Sequence, residues 1–355
     1  LHIRSLSACI LCRPVHMEQT IMKIVIDRNI PFIARPLASL GEVTALKGTE
    51  IGHEDVKEAD VVITRTRTRC NADLLEGSKC RFIGTATIGT DHIDLDYCRE
   101  NGITTANAPG CNAPAVAQWV LAAVKTTLAP GQSLSDKTLG VIGAGNVGSI
   151  LIRWARGLGM KVLVNDPPLE EAGSREYDFT SLDRIAEEAD VITIHTPLVK
   201  DGAHPTFHLI GEEFISKLKR NPMVLNAARG EVADTIALKN GLRNGLISSV
   251  GIDCWEGEPK PDSELLEMAL IATPHIAGYS REGKIRATEM VLKALSDYLG
   301  LDKPLQADAP TLAPVAQSIS EDAIDYDILA DTELLKKTPD RFEDLRNGYD
   351  LRKEP

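Results

Sequence analysis

The chain lacks any apolar run near the roughly 18 residues a membrane-crossing helix needs, so no spanning helix is expected. It also lacks an ordered, even set of cysteines. The seven it has, at 9, 12, 70, 80, 98, 111 and 254, are odd in number and scattered, which suits reduced thiols in a cytoplasmic protein better than a disulfide framework. Cys9-Ile-Leu-Cys12 is formally a CxxC, yet no second pair and no βαβ pattern accompanies it, so no redox or metal role is expected there. There is no HExxH, and His204 and His208 have no cysteine partners, so no metal site is expected. Excess positive charge is missing too. A formal net charge of −12 argues against non-specific binding to nucleic acid or to an anionic membrane. An anionic substrate would therefore have to be drawn in by a local cluster of cations.

What remains is a chain of 355 residues, 43% hydrophobic and 25% charged, long enough for two or three domains with real cores. Residues 1–21 have no periodicity and precede Met22-Lys-Ile-Val-Ile-Asp27, which reads as a first strand; they are expected to be an extension outside the working fold. Leu6-Ser-Ala-Cys9 resembles a lipoprotein cleavage box, but too few residues precede it for an apolar leader. From Met22 onward short apolar runs alternate with helical stretches, the signature of parallel α/β sheets. Strands are expected near 22–26, 42–46, 60–64, 81–85 and 103–106, then near 138–142, 161–165, 191–195, 222–226, 248–252 and 270–272. Residues 112–128 read as one helix, apolar nearly all round and so buried. A helix over 281–299 would return the chain to the first domain.

The expected architecture is two doubly wound parallel-sheet domains, Rossmann-like or flavodoxin-like, with a cleft between them. Residues 22–111 and 286–303 form the substrate-binding domain, and 112–285 the dinucleotide-binding one. Residues 302–314 hold three prolines and no periodicity, which marks a linker. Beyond it, a charged tail carries a weak apolar pattern (Ile328, Leu329, Leu334, Leu335, Phe342, Leu345) suited to packing on the body or on a second subunit. The segment 304–355 is accordingly expected to serve dimerisation.

The apolar run Thr138–Ile142 enters Gly143-Ala-Gly145-Asn146-Val147-Gly148, and a helix pattern follows at once. In such a turn the first glycine permits the tight bend, the second lets backbone approach a pyrophosphate, and the third lets helix and strand pack closely. The next strand ends at Asp166, placed to accept both ribose hydroxyls of NAD and to repel the extra phosphate of NADP. The alternative for Asp166 is an acidic turn residue before Pro167-Pro168.

Further along, charged groups follow strand after strand. Arg229 lies past 222–226, where a guanidinium could grip a carboxylate; a salt bridge to Glu231 is the alternative. Asp253 and Glu258 follow the next strand, and His275 the one after. A histidine at a strand end, facing a cofactor cleft and within reach of a carboxylate, suits the work of a base, and Glu258 would orient it. Arg65-Thr66-Arg67-Thr68-Arg69 follows a strand of the first half. If extended, period two sends its three guanidinium groups to one side, as a phosphate site or as a solvated basic edge.

At these residues the chain resembles the D-isomer-specific 2-hydroxyacid dehydrogenases, over Met22 to about Leu299. The motifs are Gly84-Thr-Ala-Thr87-Ile-Gly-Thr-Asp-His92, Pro109-Gly-Cys-Asn112-Ala, His195-Thr196-Pro-Leu, Trp255-Glu-Gly-Glu258-Pro and His275-Ile-Ala-Gly278-Tyr279. The fourth motif and the Gly-Tyr of the fifth separate it from the phosphoglycerate and lactate members. The resemblance implies a catalytic set of Arg229, Glu258 and His275, and NAD contacts at Asp166, Thr196, Asp253 and Gly278. It implies substrate contacts at Thr66, Thr87 and Tyr279, with Arg65 beside them. The implied reaction is NAD-dependent oxidation of a phosphorylated hydroxy acid, 4-phospho-D-erythronate, by a homodimer. Another acid such as 3-phosphoglycerate, or a non-catalytic NAD-sensing role, remains open at this point. Two departures stand out: Cys254 where an aliphatic residue is expected, and a tail shorter than the group's dimerisation domain.

Overall fold

Runs such as Val61-Val-Ile-Thr64 and Val191-Ile-Thr-Ile194 are β-branched throughout. Such residues are stiff at Cβ and suit a pleated surface buried on both faces, and every residue of both runs is buried in a strand. The structure is a computed structural model that describes residues 21–355. The expected extension, apart from Ile21, lies outside the described residues, as do the Leu6–Cys9 box and the CxxC.

Each expected strand is present. β1 (Met22–Asp27), β2 (Gly41–Leu46), β3 (Val61–Thr64), β4 (Phe82–Thr85) and β5 (Thr104–Ala106) form a parallel sheet in the order β2-β1-β3-β4-β5. β6 (Thr138–Ile142), β7 (Lys161–Asn165), β8 (Val191–Ile194), β9 (Met223–Asn226), β10 (Ser249–Ile252) and β11 (Ile271–Ala272) form a second, in the order β11-β10-β9-β8-β6-β7. The fold is thus two doubly wound α/β sheets. In each, the chain reverses direction across the sheet: between β1 and β3 in the first, between β6 and β8 in the second. Ligands of open α/β sheets bind beyond the carboxyl ends of strands at such points.

Two helices join the halves. Ala113–Lys125 is buried from Ala113 to Val124, and its Trp119 Nε1 donates to Thr273 Oγ1 at 3.1 Å. The helix Arg281–Leu299 starts beside the second sheet, where Ser280 caps it through the Gly283 amide. It then sends Ala287, Val291, Leu292 and Leu295 into the core around Ile24, Ile63 and Phe82 of the first sheet.

The tail takes the first of the two uses its apolar pattern allowed, packing on the body. Its helices Ile328–Lys337 and Phe342–Asn347 pack on the chain's own body. Leu335 and Phe342 enter the core of the second sheet, and Ile324 and Ile328 pack under the long helix. Thr332 Oγ1 accepts from the Ala272 amide at 3.1 Å, so the tail covers the β11 edge and satisfies a donor that an open edge would leave bare. Leu329 and Leu334 alone of the expected apolar row stay strongly exposed, at 50% and 47%.

Candidate active site

A cleft of about 520 Å³ opens between the two sheets, lined by residues just past β3, β4 and β5 on one side and β6, β8, β9, β10 and β11 on the other. It gathers Arg65, Thr66, Thr87, Gly145, Asn146, Val147, Thr196, Arg229, Asp253, His275, Gly278 and Tyr279. These come from both halves of the sequence.

The glycine turn after β6 has the geometry its sequence implies. Gly143 sits at φ +94°, a conformation L side chains rarely adopt, and a Cβ there would lie 2.8 Å from the His195 carbonyl. A Cβ on Gly148 would fall 2.0 Å from Gly143 O, so only glycine allows the helix Asn146–Gly157 this close to the strand. At Gly145 a Cβ would meet nothing within 4 Å. That open space, beside unpaired N–H groups at a helix start, is what a pyrophosphate needs. His195 Nδ1, Thr196 Oγ1 and Asn112 Oδ1 are buried without partners on residues lining the same cleft. The site therefore fits a dinucleotide.

Asp166 stands at the end of β7, where its Oδ2 accepts from the Ala144 amide at 2.8 Å and its Oδ1 caps the short helix Pro167–Glu171. The turn role and the ribose role are compatible, since a carboxylate has about four acceptor positions. Asp166→Asn keeps the cap acceptor but removes the charge. It is expected to raise the KM for NAD about 10-fold, the scale of one lost charge-assisted bond, and to narrow the preference over NADP by at least as much. Steady-state kinetics with both cofactors checks this; an unchanged ratio would remove the ribose role.

The reactive groups meet where β10 and β11 end. His275 Nδ1 lies 2.8 Å from Glu258 Oε2, while Glu258 Oε1 accepts from the Trp255 amide at 2.8 Å. Burial opposes ionisation of Glu258, but the bond to His275, its charge and the Trp255 amide outweigh it and hold the carboxyl below its ordinary value. An ionised carboxylate can only accept, so Nδ1 carries the hydrogen, and Nε2 of the neutral ring keeps its lone pair.

His275 itself sits at φ +56°. Asp253 holds this uncommon backbone in place. Its Oδ1 accepts from Thr273 Oγ1 at 2.6 Å and from the Ile276 and Ala277 amides at 2.8 and 3.0 Å, and its carbonyl accepts from the His275 amide. Burial raises the Asp253 carboxyl, partly offset by His275 and these donors. Asp253 is thus first a scaffold for the histidine loop, and only Oδ2, 3.9 Å from Cys254 Sγ, is left for a cofactor. Cys254, the unexpected residue, is buried and its thiol is pushed well up by burial, so it stays protonated. Gly278 presses on Asn112, whose Nδ2 would lie 1.9 Å from an added Cβ.

Arg229 reaches the cleft from beyond β9. Its Nη1 donates to Ala228 O at 2.8 Å and its Nη2 is 3.8 Å from the largely exposed Asp91. Among the described residues the alternative bridge to Glu231 does not form, so the guanidinium is open to an incoming carboxylate.

The arginine row is corrected. Residues 65–68 turn, and Thr68 Oγ1 ties the bend to Gly48 O at 2.9 Å, so the three guanidinium groups do not share a side. Arg65 lines the cleft, Arg67 pairs with Glu343 of the tail, and Arg69 is exposed. Two other cations take their place. Lys284, in the first turns of the helix after the histidine loop, and Arg346, on the last helix of the tail, both line the cleft. Sequence reading missed them. Lys284 falls only five residues after Tyr279, a proximity that could have raised it; nothing in the local sequence marks Arg346.

Among the described residues, two clusters have the spacing of metal ligands: Cys254, Glu258 and His275, and His208, Asp234 and Glu256. The first is accounted for by the Glu258–His275 bond and a protonated thiol. In the second, Asp234 Oδ1 caps the helix Thr235–Arg243, and Glu256 accepts from the Thr235 amide and pairs with His208 at 2.8 Å.

A family model described as D-isomer specific 2-hydroxyacid dehydrogenase, NAD binding domain, matches residues 112–277. The chain is 45% identical over 343 residues to the erythronate-4-phosphate dehydrogenase of Bacteroides thetaiotaomicron, covering 94% of this chain and 97% of that one. It is 46% identical over 281 residues to that of Pseudomonas paraeruginosa, covering 79% and 74%. Among solved structures it resembles the NAD+-bound 3-phosphoglycerate dehydrogenase of Entamoeba histolytica, with a TM-score of 0.66 and 28% identity, covering 82% of this chain and 100% of that one. With this identity along nearly its whole length, and a dinucleotide turn beside a carboxylate-tethered histidine, the chain belongs to the D-isomer-specific 2-hydroxyacid dehydrogenase family, alongside the erythronate-4-phosphate dehydrogenases.

Proposed function

We propose that this protein oxidises 4-phospho-D-erythronate to (R)-3-hydroxy-2-oxo-4-phosphooxybutanoate with NAD, a step of pyridoxal 5′-phosphate synthesis. The observation that carries the reading is the 2.8 Å Glu258–His275 bond, in a cleft that Arg229 enters without a close carboxylate partner. Arg229 grips the C1 carboxylate and draws charge onto the C2 oxygen. His275 Nε2 takes the C2 hydroxyl proton, and Glu258 compensates the positive charge that forms on the ring. Bound NAD supplies the acceptor for the C2 hydride. Gly143, Gly145, Asn146, Val147 and Gly148 would hold its pyrophosphate and Asp166 its ribose, with Thr196, Asp253 and Gly278 as further contacts. Thr66, Thr87 and Tyr279 border the space for the rest of the substrate.

The test is NADH formation by the purified protein with a panel of acids: 4-phospho-D-erythronate, D-erythronate, 3-phosphoglycerate and D-lactate. The phosphorylated erythronate is expected to have the highest kcat/KM by at least about 10-fold, the scale of one charge-assisted contact. Tight NAD binding without turnover of any of them would favour a cofactor-sensing role instead.

The homodimer belongs to the same proposal. Because the tail is bound to its own body, contact between subunits would fall on its outer face, where Leu329 and Leu334 are exposed. Light scattering is expected to give twice the 38.5 kDa of the chain, and Leu334→Glu to shift it toward monomer. No helix of the described residues is long and apolar enough to cross a membrane, and the described cysteines are buried and unpaired. The unpaired cysteines support a place in the reducing cytoplasm.

A further inference from the structure

The tail's last helix places a cation at the cleft where the sequence offered none. Three cations reach this wall from three separate segments: Arg65 from the turn after β3, Lys284 from the helix Arg281–Leu299, and Arg346 from the helix Phe342–Asn347. Arg65 Nε is buried without a hydrogen-bond partner. The Lys284 ammonium lies 4.2 Å from the centre of the Tyr279 ring, and Arg346 is only 18% exposed with Glu258 and Glu343 no nearer than 4.0 and 3.9 Å. Among the described residues no carboxylate pairs with Arg65 or Lys284. Gathering like charges out of water is costly unless an anion joins them, and it happens here in a chain whose net charge is −12.

We infer that Lys284 and Arg346, together with Arg65, form the seat for the substrate's phosphate, so that the C-terminal segment is a wall of the active site in cis. This rests on the reading that the substrate is a phosphorylated hydroxy acid. Burial first, then the charge of Arg65 and more weakly that of Arg346, bring the Lys284 ammonium down to about 7; a bound phosphate would reverse that strain on the charge.

The tail is held firmly enough to deliver such a group. Arg67 clasps Glu343, one turn before Arg346. Arg352 donates to the carbonyls of Ile276 and Tyr279 at 3.0 and 3.1 Å, to Ala277 O, and to Ala115 O at 3.0 Å. The same residue therefore ties the tail to the loop that carries His275. Within the seat, Arg346 is the member that also approaches Glu258, at 4.0 Å.

The test compares wild type with Lys284→Met, Arg346→Met and Arg346→Lys. In each Met variant the ratio of kcat/KM for 4-phospho-D-erythronate to that for D-erythronate is expected to fall about 10- to 100-fold, with partial recovery in Arg346→Lys, as one lost charge-assisted contact implies. A ratio that stays at the wild-type value in both Met variants overturns the inference. Calorimetry of inorganic phosphate binding to the NADH-loaded protein reads the seat separately. If wild type turned over no phosphorylated acid, the reading of the substrate would fall. Weaker phosphate binding in the Met variants would still support the seat, and wild-type affinity in both would overturn it.

Discussion

Replacing His275 by alanine is expected to lower turnover by roughly 10³-fold, within the range that a positioned general base contributes, while leaving NADH affinity close to wild type. Among the described residues, no other imidazole near the cleft can stand in. His195 also lines the cleft, but burial drives its ring down to about 3, and its Nε2 partner is Thr193 Oγ1 rather than a carboxylate. His92 is tied to Thr85 Oγ1, and burial lowers it too. The variant should fold. The left-handed backbone at 275 is held by bonds that run through Asp253 and do not involve the imidazole, so alanine inherits the same modest strain. Fluorescence titration with NADH and a melting curve separate loss of chemistry from loss of structure. A variant that kept more than about a tenth of the wild-type rate would remove His275 as the base.

The strands were the most legible part of this protein, because each is a short run of β-branched or apolar residues closed by a polar or glycine turn. The dinucleotide turn was legible for the same local reason: the uses of Gly143, Gly145 and Gly148 depend on neighbours within a few residues. Sites assembled by tertiary packing were not. The pattern at Leu335 and Phe342 is too sparse in a charged segment to show which surface they bury, and with them went the position of Arg346. The row at 65–69 was misjudged because period two holds only for an extended backbone, and Thr68 bends it. Asp253 was expected at the cofactor, and its further part as the support of the histidine loop rests on backbone and side-chain bonds visible only in three dimensions. The Glu258–His275 pair was suggested by the place of each group past a strand, but the sixteen intervening residues, which include the helix Ser263–Met268 and β11, fix no distance between them.

Glu258→Gln is nearly isosteric, and its effect follows from where the amide must point. The Trp255 amide donates to Oε1 at 2.8 Å, so in the variant that position must be filled by the amide oxygen. The NH₂ group then falls where Oε2 was, 2.8 Å from His275 Nδ1. It can only donate there, which forces Nδ1 to accept and moves the ring hydrogen to Nε2, the nitrogen that must take the hydroxyl proton. Turnover is expected to fall on the order of 10²- to 10⁴-fold, the range for a misplaced tautomer or lost base, with KM for NAD little changed. The pH response adds an independent reading. The Glu258 carboxyl lies below its ordinary value of 4.5, because the His275 bond and charge outweigh burial. Its contribution to stability is therefore complete above that value and is lost as pH falls through the lower, folded value. Melting temperature followed from pH 7 downward should drop less steeply below about 4.5 in the variant than in wild type. If Glu258→Gln retained wild-type turnover, the carboxylate would not be setting the tautomer, and the base would have to be oriented by something other than this bond.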